Sequence, residues 1–157
     1  MEQRIRQLSG AIQVLQNTLA AQGGLRSGNM LKQVLSTCQN SMKEQASTLV
    51  TEYRWAVANA LFASQTWVER LIVEANESMT PLYEASVGHM KKAVALAGVP
   101  RVEPQLLVEL AEARASSVNE VTLALRSSFA ERRRGLIRAL PSFVGRLVAK
   151  MLGGGHT

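Results

Sequence analysis

NMLKQVLSTCQNSMKEQASTLVTEYRWAVANALFASQTWVERLIVEANES, residues 29–78, contains neither glycine nor proline. Leu31, Leu35, Cys38, Met42, Ala46, Leu49, Tyr53, Val57, Leu61, Val68, Ile72 and Ala75 recur along it at helical spacing. They drift off a strict heptad, which favours bundle packing over a long supercoil. Asn29 reads as the N-cap. Unbroken, this helix would be ~75 Å long at the α-helical rise per residue. Ser41 and Glu44 form a capping box, which offers a break at Asn40-Ser41.

The centre of the stretch, YRWAVANALFA at 53–63, is apolar on nearly every face. A helix apolar all round is buried on all sides. Tyr53, Trp55, Leu61, Phe62 and Trp67 are therefore expected in the core or in an interface. Ala56, Ala58, Ala60 and Ala63 suit close helix packing, so Trp55, Leu61, Phe62 and Trp67 are expected to be buried.

Upstream, residues 3–22 read as a helix, with Ile5, Leu8, Ile12, Leu15 and Leu19 on a heptad-like seam. The seam suits one amphipathic helix of a bundle or a short coiled coil. Gly23-Gly24-Leu25-Arg26-Ser27-Gly28 breaks the chain. Gly23 and Gly28 have the spacing of a phosphate-binding loop. Asn29-Met30 stand where that loop needs Lys-Ser/Thr, and no strand precedes it.

Downstream, Thr80-Pro81 reads as a helix start, with Thr as N-cap and Pro at the first helical position. That helix runs to about Ala97 and carries Leu82, Tyr83, Val87, Met90 and Val94. Residues 98–104, GVPRVEP, are the clearest loop. A further helix runs from Pro104 towards Leu140, with Leu107, Leu110, Ala111, Val118, Val121, Leu125 and Phe129 inward. Pro141 kinks or ends it. Ser142–Leu152 make a last short helix, and the tail from Gly153 is flexible.

The fold class is thus all-α: an up-and-down bundle of about four to six helices, one or two of them long. The loops fall near 23–28, 79–81 and 98–104. Residues 1–152 form one helical domain. Composition agrees: Asp is absent and all twelve acidic residues are Glu, which suits a helix interior better. A single cysteine excludes a disulfide scaffold and fits a reducing compartment. The N-terminus, MEQRIRQLSGAIQVLQ, has no uninterrupted apolar stretch of a secretory signal. No run approaches the ~18 apolar residues of a membrane span. A cytoplasmic protein is expected. Asn76-Glu77-Ser78 matches a glycosylation sequon that has no meaning there.

Charge supplies the one functional signal. The chain has a formal net charge of +6. Arg126, Arg132, Arg133, Arg134, Arg138, Arg146 and Lys150, against Glu131 alone, account for all of it. Arg134, Arg138, Ser142, Arg146 and Lys150 are spaced by four. Leu136, Leu140, Phe143, Leu147 and Met151 form the opposing stripe, so residues 126–152 read as a cationic amphipathic segment. Three readings stay open. The stripe packs on the bundle and the arginines are solvated; or the segment docks on an acidic membrane or protein groove; or the arginines bind nucleic-acid phosphates. Phe143 is its sole aromatic, which speaks against base-specific recognition.

Catalytic constellations are sparse. His89 has no acid, base or ligand partner on its own helix, and His156 lies in the tail. Cys38 sits on the apolar stripe and reads as a buried, inert thiol. Neither a zinc cluster, nor a Glu-x-x-His pair, nor G-x-S-x-G or H-E-x-x-H occurs. The expectation is a non-catalytic helical interaction or assembly protein without cofactor or metal. It would associate with itself or with a helical partner, and carry a basic C-terminal docking segment. The alternatives are a binder of nucleic acid or anionic membrane through residues 126–150, and an enzyme whose site assembles from distant residues.

Overall fold

The computed structural model describes residues 1–25, 27–60 and 63–152; for residues 136–152 it describes the backbone alone. Four α-helices follow one another: α1 Glu2–Ala21, α2 Gly28–Asn59, α3 Gln65–Ala97 and α4 Glu103–Leu152. A 3-10 turn, Pro100–Val102, joins α3 to α4. No strand occurs among the described residues.

Side-chain pairs fix the helix directions. Arg4 of α1 bonds Glu44 and Thr48 of α2, so α1 and α2 are antiparallel. The Cys38 thiol lies 4.0 Å from the Ser86 carbonyl, each about two-thirds of the way from the α2–α3 turn, so those helices are antiparallel too. Arg114 of α4 donates to Asn76 and Thr80 of α3, and Arg126 pairs with Glu69. The order is therefore up-down-up-down, as short connections require. α2 and α3 form the central pair. α1 packs on them from one side and α4 from the other, and among the described residues the backbones of α1 and α4 do not come close.

The 20 residues of α1 cover only part of that central pair. Leu8, Ile12 and Leu19 close over the first half of α2 and the second half of α3. There the core is built from Met30, Met42, Met79 and Met90, all fully buried, with Val34, Leu82 and Leu110. Unbranched methionines fill irregular space between helices without aromatic rings. Beyond the reach of α1 the core narrows to three helices and to Val57, Val68, Ala75, Val121 and Leu125.

Local chemistry explains the ends. Ser27, not Asn29, caps α2: its backbone is extended and its hydroxyl accepts from the Met30 N–H. Gly98 ends α3 in the left-handed region, at φ 71°, while its N–H reaches the Val94 and Ala95 carbonyls.

The expected breaks are partly corrected. The chain does not restart at Pro81, which lies inside α3. A proline there removes one backbone hydrogen bond and frees the carbonyl four residues back. Pro81 and Glu77 are both exposed, on the solvent side of the helix, where a freed carbonyl costs least. Ser41-Glu44 is no boundary either; it lies inside α2, and Glu44 pairs with Arg4 instead. Instead α2 ends at Asn59 and α3 begins at Gln65, inside the stretch that reads as continuous. Ser64 caps α3 by accepting from the Trp67 N–H at 3.1 Å. Folding the long apolar stretch into an α2–α3 hairpin buries both halves against each other, which one ~75 Å rod could not do. Nor does Pro141 end the last helix: α4 runs on to Leu152, and the separate helix expected at 142–152 is its final part.

Inward positions follow the periodicity closely. Leu31, Leu35, Cys38, Met42, Ala46 and Leu49 are buried. On α4, Leu110, Val121 and Leu125 are buried, whereas Leu107, Val118 and Phe129 are half-buried and Ala111 is exposed. With neighbours on one side only, α4 buries a narrower stripe.

Candidate functional site

Four of the seven cationic residues singled out by charge have described side chains, and they divide in function. Arg132 reaches across from α4 and donates from its two terminal nitrogens to the carbonyls of Val57 and Ala60. Val57 lies in the last turn of α2 and Ala60 is its C-cap, where carbonyls lack helical partners. A guanidinium there satisfies them and complements the negative end of the helix. Arg126 pairs with Glu69 of α3 at 3.2 Å. Both arginines thus help hold α4 on the α2–α3 hairpin. Arg133 and Arg134 are exposed, and neither has a hydrogen-bond or ion-pair partner among the described residues. Arg138, Arg146 and Lys150 lie outside the described side chains, as do Leu136, Leu140, Phe143, Leu147 and Met151.

Arg132 also marks the end of the hairpin. It meets α2 at its C-terminus, and α4 continues from there to Leu152. Trp55 stands beside this point and is 70% exposed. This corrects the expectation that it is buried. The all-round apolar reading assumed a helix surrounded on every side. α2 ends four residues later, α1 does not reach this level, and α3 and α4 cover only two sides. Trp67 and Tyr53 are half-buried against the core. Leu61 and Phe62 lie outside the described residues. Trp55 borders an open hollow of about 550 Å³ together with Arg54, Ala58, Ser128, Glu131 and Arg132. Arg54 donates to Ser128 at 3.1 Å, which fixes one wall. An exposed indole among guanidinium groups combines an apolar body with cationic surroundings.

A second site lies at the opposite end and is invisible in sequence. Ser9 of α1 and His89 of α3 share a hydrogen bond of 3.0 Å across 80 residues of chain. They border a groove of about 520 Å³ with Gln13, Gln16, Asn17 and Lys92. Burial, and then the positive charge of Lys92, hold the His89 pKa below its ordinary value. A serine nucleophile needs a carboxylate-type partner to support the imidazolium and free N–H donors for an oxyanion. Here the charged neighbour is a lysine, and the N–H groups around Ser9 belong to the interior of α1. The pair ties α1 to α3. The Cys38 thiol is fully buried, and that burial pushes its pKa up to about 11, with a smaller opposing effect from Ser86. Among the described residues no three His, Cys, Asp or Glu side chains gather as metal ligands. No described helix is long and apolar enough to cross a membrane.

No protein family, curated protein or solved structure matches the chain.

Proposed function

We propose that this chain is a non-catalytic helical interaction and assembly protein that docks through the α2–α3 turn end of its bundle, with the basic stretch of α4 as its docking segment. The observation that carries this reading is the juxtaposition at that end. Exposed Trp55, exposed Arg133 and Arg134, and the onward run of α4 all begin where Arg132 clamps α2. Tryptophan and arginine are the residues most enriched among binding anchors. The partner surface is anionic, because the whole net charge of the chain lies in residues 126–150.

Self-association is the second element of the proposal, and it runs through α4 rather than α1. Leu8, Ile12 and Leu19 of the α1 seam are already buried against α2 and α3. A coiled coil formed by that seam with a second copy would compete with the core. The test is light scattering at micromolar concentration, with and without residues 136–157. A mass above that of one 17.1 kDa chain that falls on truncation supports assembly through α4. A single-chain mass in both cases removes it and leaves only the docking function.

A further inference from the structure

On the outer side of the α3–α4 contact, Arg114 stands apart from the ion-paired arginines. Arg4, Arg6 and Arg126 each pair with a glutamate, whereas Arg114 has no carboxylate within salt-bridge distance among the described residues. It is nonetheless half-buried. Its guanidinium lies 5.2 Å from the centre of the Tyr83 ring, and one terminal nitrogen, Nη2, donates to Asn76 Oδ1 at 3.1 Å and Thr80 Oγ1 at 3.0 Å. A ring face and two neutral acceptors hold the group in place and leave its charge unneutralised.

One unsatisfied polar atom, Arg114 Nε, belongs to this point, and Ser117, which does not border the groove, carries another. Arg114 Nε and Ser117 Oγ are the buried side-chain polar atoms without a hydrogen-bond partner among the described residues, and they lie three residues apart on α4. Nη2 is engaged and Nε is buried, which leaves Nη1 for a ligand. Arg114 borders a groove of about 430 Å³ in which it is the one charged residue. Asn76 and Asn119 supply amides, and Ala111, Ala115 and Val118 supply an apolar strip on one face of α4.

We infer that this groove binds a carboxylate attached to a short aliphatic group. A single guanidinium matches one negative charge, and its remaining nitrogen, Nη1, can donate to one carboxylate oxygen. A phosphate dianion would call for a second cation. The aliphatic portion lies along the Ala111–Val118 strip, where burial of apolar surface adds affinity. The carboxylate would come from a small organic acid or from the C-terminus of a partner chain.

The test follows side-chain N–H resonances of Arg114, Asn76 and Asn119 by NMR. Two probe pairs are used: butyrate against butyramide, and acetyl-Ala-Ala-Leu with a free C-terminus against its amide. At least one acid should shift these resonances to saturation, and its amide should bind about tenfold more weakly or worse, the loss of a charge-assisted hydrogen bond. Butyrate binding points to a small acid; peptide binding alone points to a chain terminus. Arg114→Lys keeps the charge but loses the planar group that Tyr83, Asn76 and Thr80 hold in place, and with it the Nη1 donor, and should weaken binding by a similar factor. Asn119→Trp alters an exposed residue, fills the groove and should abolish binding even if Arg114→Lys fails to fold. Equal shifts by acid and amide, no saturation with either acid, or parent-like binding by Asn119→Trp would overturn the inference.

Discussion

The two ends of the bundle differ in how many helices enclose them. At the α1 end, α1 and α4 flank the central hairpin, the core is sealed, and its largest members are methionines and leucines. At the α2–α3 turn end α1 is missing, the buried side chains shrink to valine, alanine and leucine, and the tryptophan rings stand half-buried or exposed. One end is arranged for stability. The other holds itself together with arginine contacts from α4 and keeps an aromatic and cationic surface in solvent. Exposed aromatic surface that is not needed for folding is available for binding.

Substitutions give the strongest check on this contrast. Met42→Ala in the sealed half should cost about 2–5 kcal/mol in urea denaturation. Trp55→Ala at the turn end should change stability by less than about 0.5 kcal/mol. Equal costs would erase the distinction. Next comes the clamp. Arg132→Ala leaves the last carbonyls of α2 without their charged donor and should cost about 1–3 kcal/mol, while neighbouring Arg133→Ala stays within about 0.5 kcal/mol. Denaturation midpoints of the two single variants decide it, and a costly Arg133→Ala would mean that the exposed arginine also holds the fold.

Chemical access should follow the same division. Cys38 is enclosed and its thiol is raised to about 11, so alkylation near neutral pH should proceed only at the rate of global opening. Acrylamide should quench Trp55 in the native state. Fast labelling of Cys38 would show that the α1 end is not sealed. The smallest effect concerns His89. Its folded pKa lies below the unfolded value near 6.5. Above that value both states are neutral. As pH falls through it, the unfolded chain takes up a proton first, so stability declines towards the lower folded pKa. His89→Asn should flatten the drop in melting temperature between neutral and mildly acidic pH. A drop of the same size in the variant would place its cause elsewhere.

Periodicity made most of the bundle legible. Leu8, Ile12 and Leu19, the stripe from Leu31 to Leu49, and Leu110, Val121 and Leu125 all repeat at the spacing of a one-sided helix, and all are buried. The end of α2 at Asn59 was not legible, because Ala60, Ala63 and Ser64 carry none of the glycine or proline signals of a break. It is met by Arg132, 72 residues from Ala60, and followed by a serine whose capping role shows only when the helix starts after it. Pro81 misled for the converse reason: its signal is strong locally, and exposure to solvent weakens its consequence. At the candidate site, the charge count singled out residues 126–150, which lie on α4. It could not tell Arg132, which serves the fold, from Arg133 and Arg134, which face solvent, because that depends on where the α2 terminus lies. Ser9–His89 and Arg114–Tyr83 join residues on different helices, and no local pattern announces them.

The central claim is that the turn end docks on an anionic surface. A Trp67→Phe variant leaves Trp55 as the one tryptophan reporter. Its emission is followed during titration with phosphatidylserine vesicles and with duplex DNA, each at low and high salt, in that background and with Arg133→Ala/Arg134→Ala added. The account predicts a saturable change in Trp55 emission with at least one of the two surfaces. It should weaken with salt, and the double substitution should lower the affinity. For DNA the salt dependence should also flatten, by up to ~0.9 in log–log slope per lost phosphate contact. Unchanged Trp55 emission with both surfaces at low salt, or binding indifferent to the loss of Arg133 and Arg134, would contradict it.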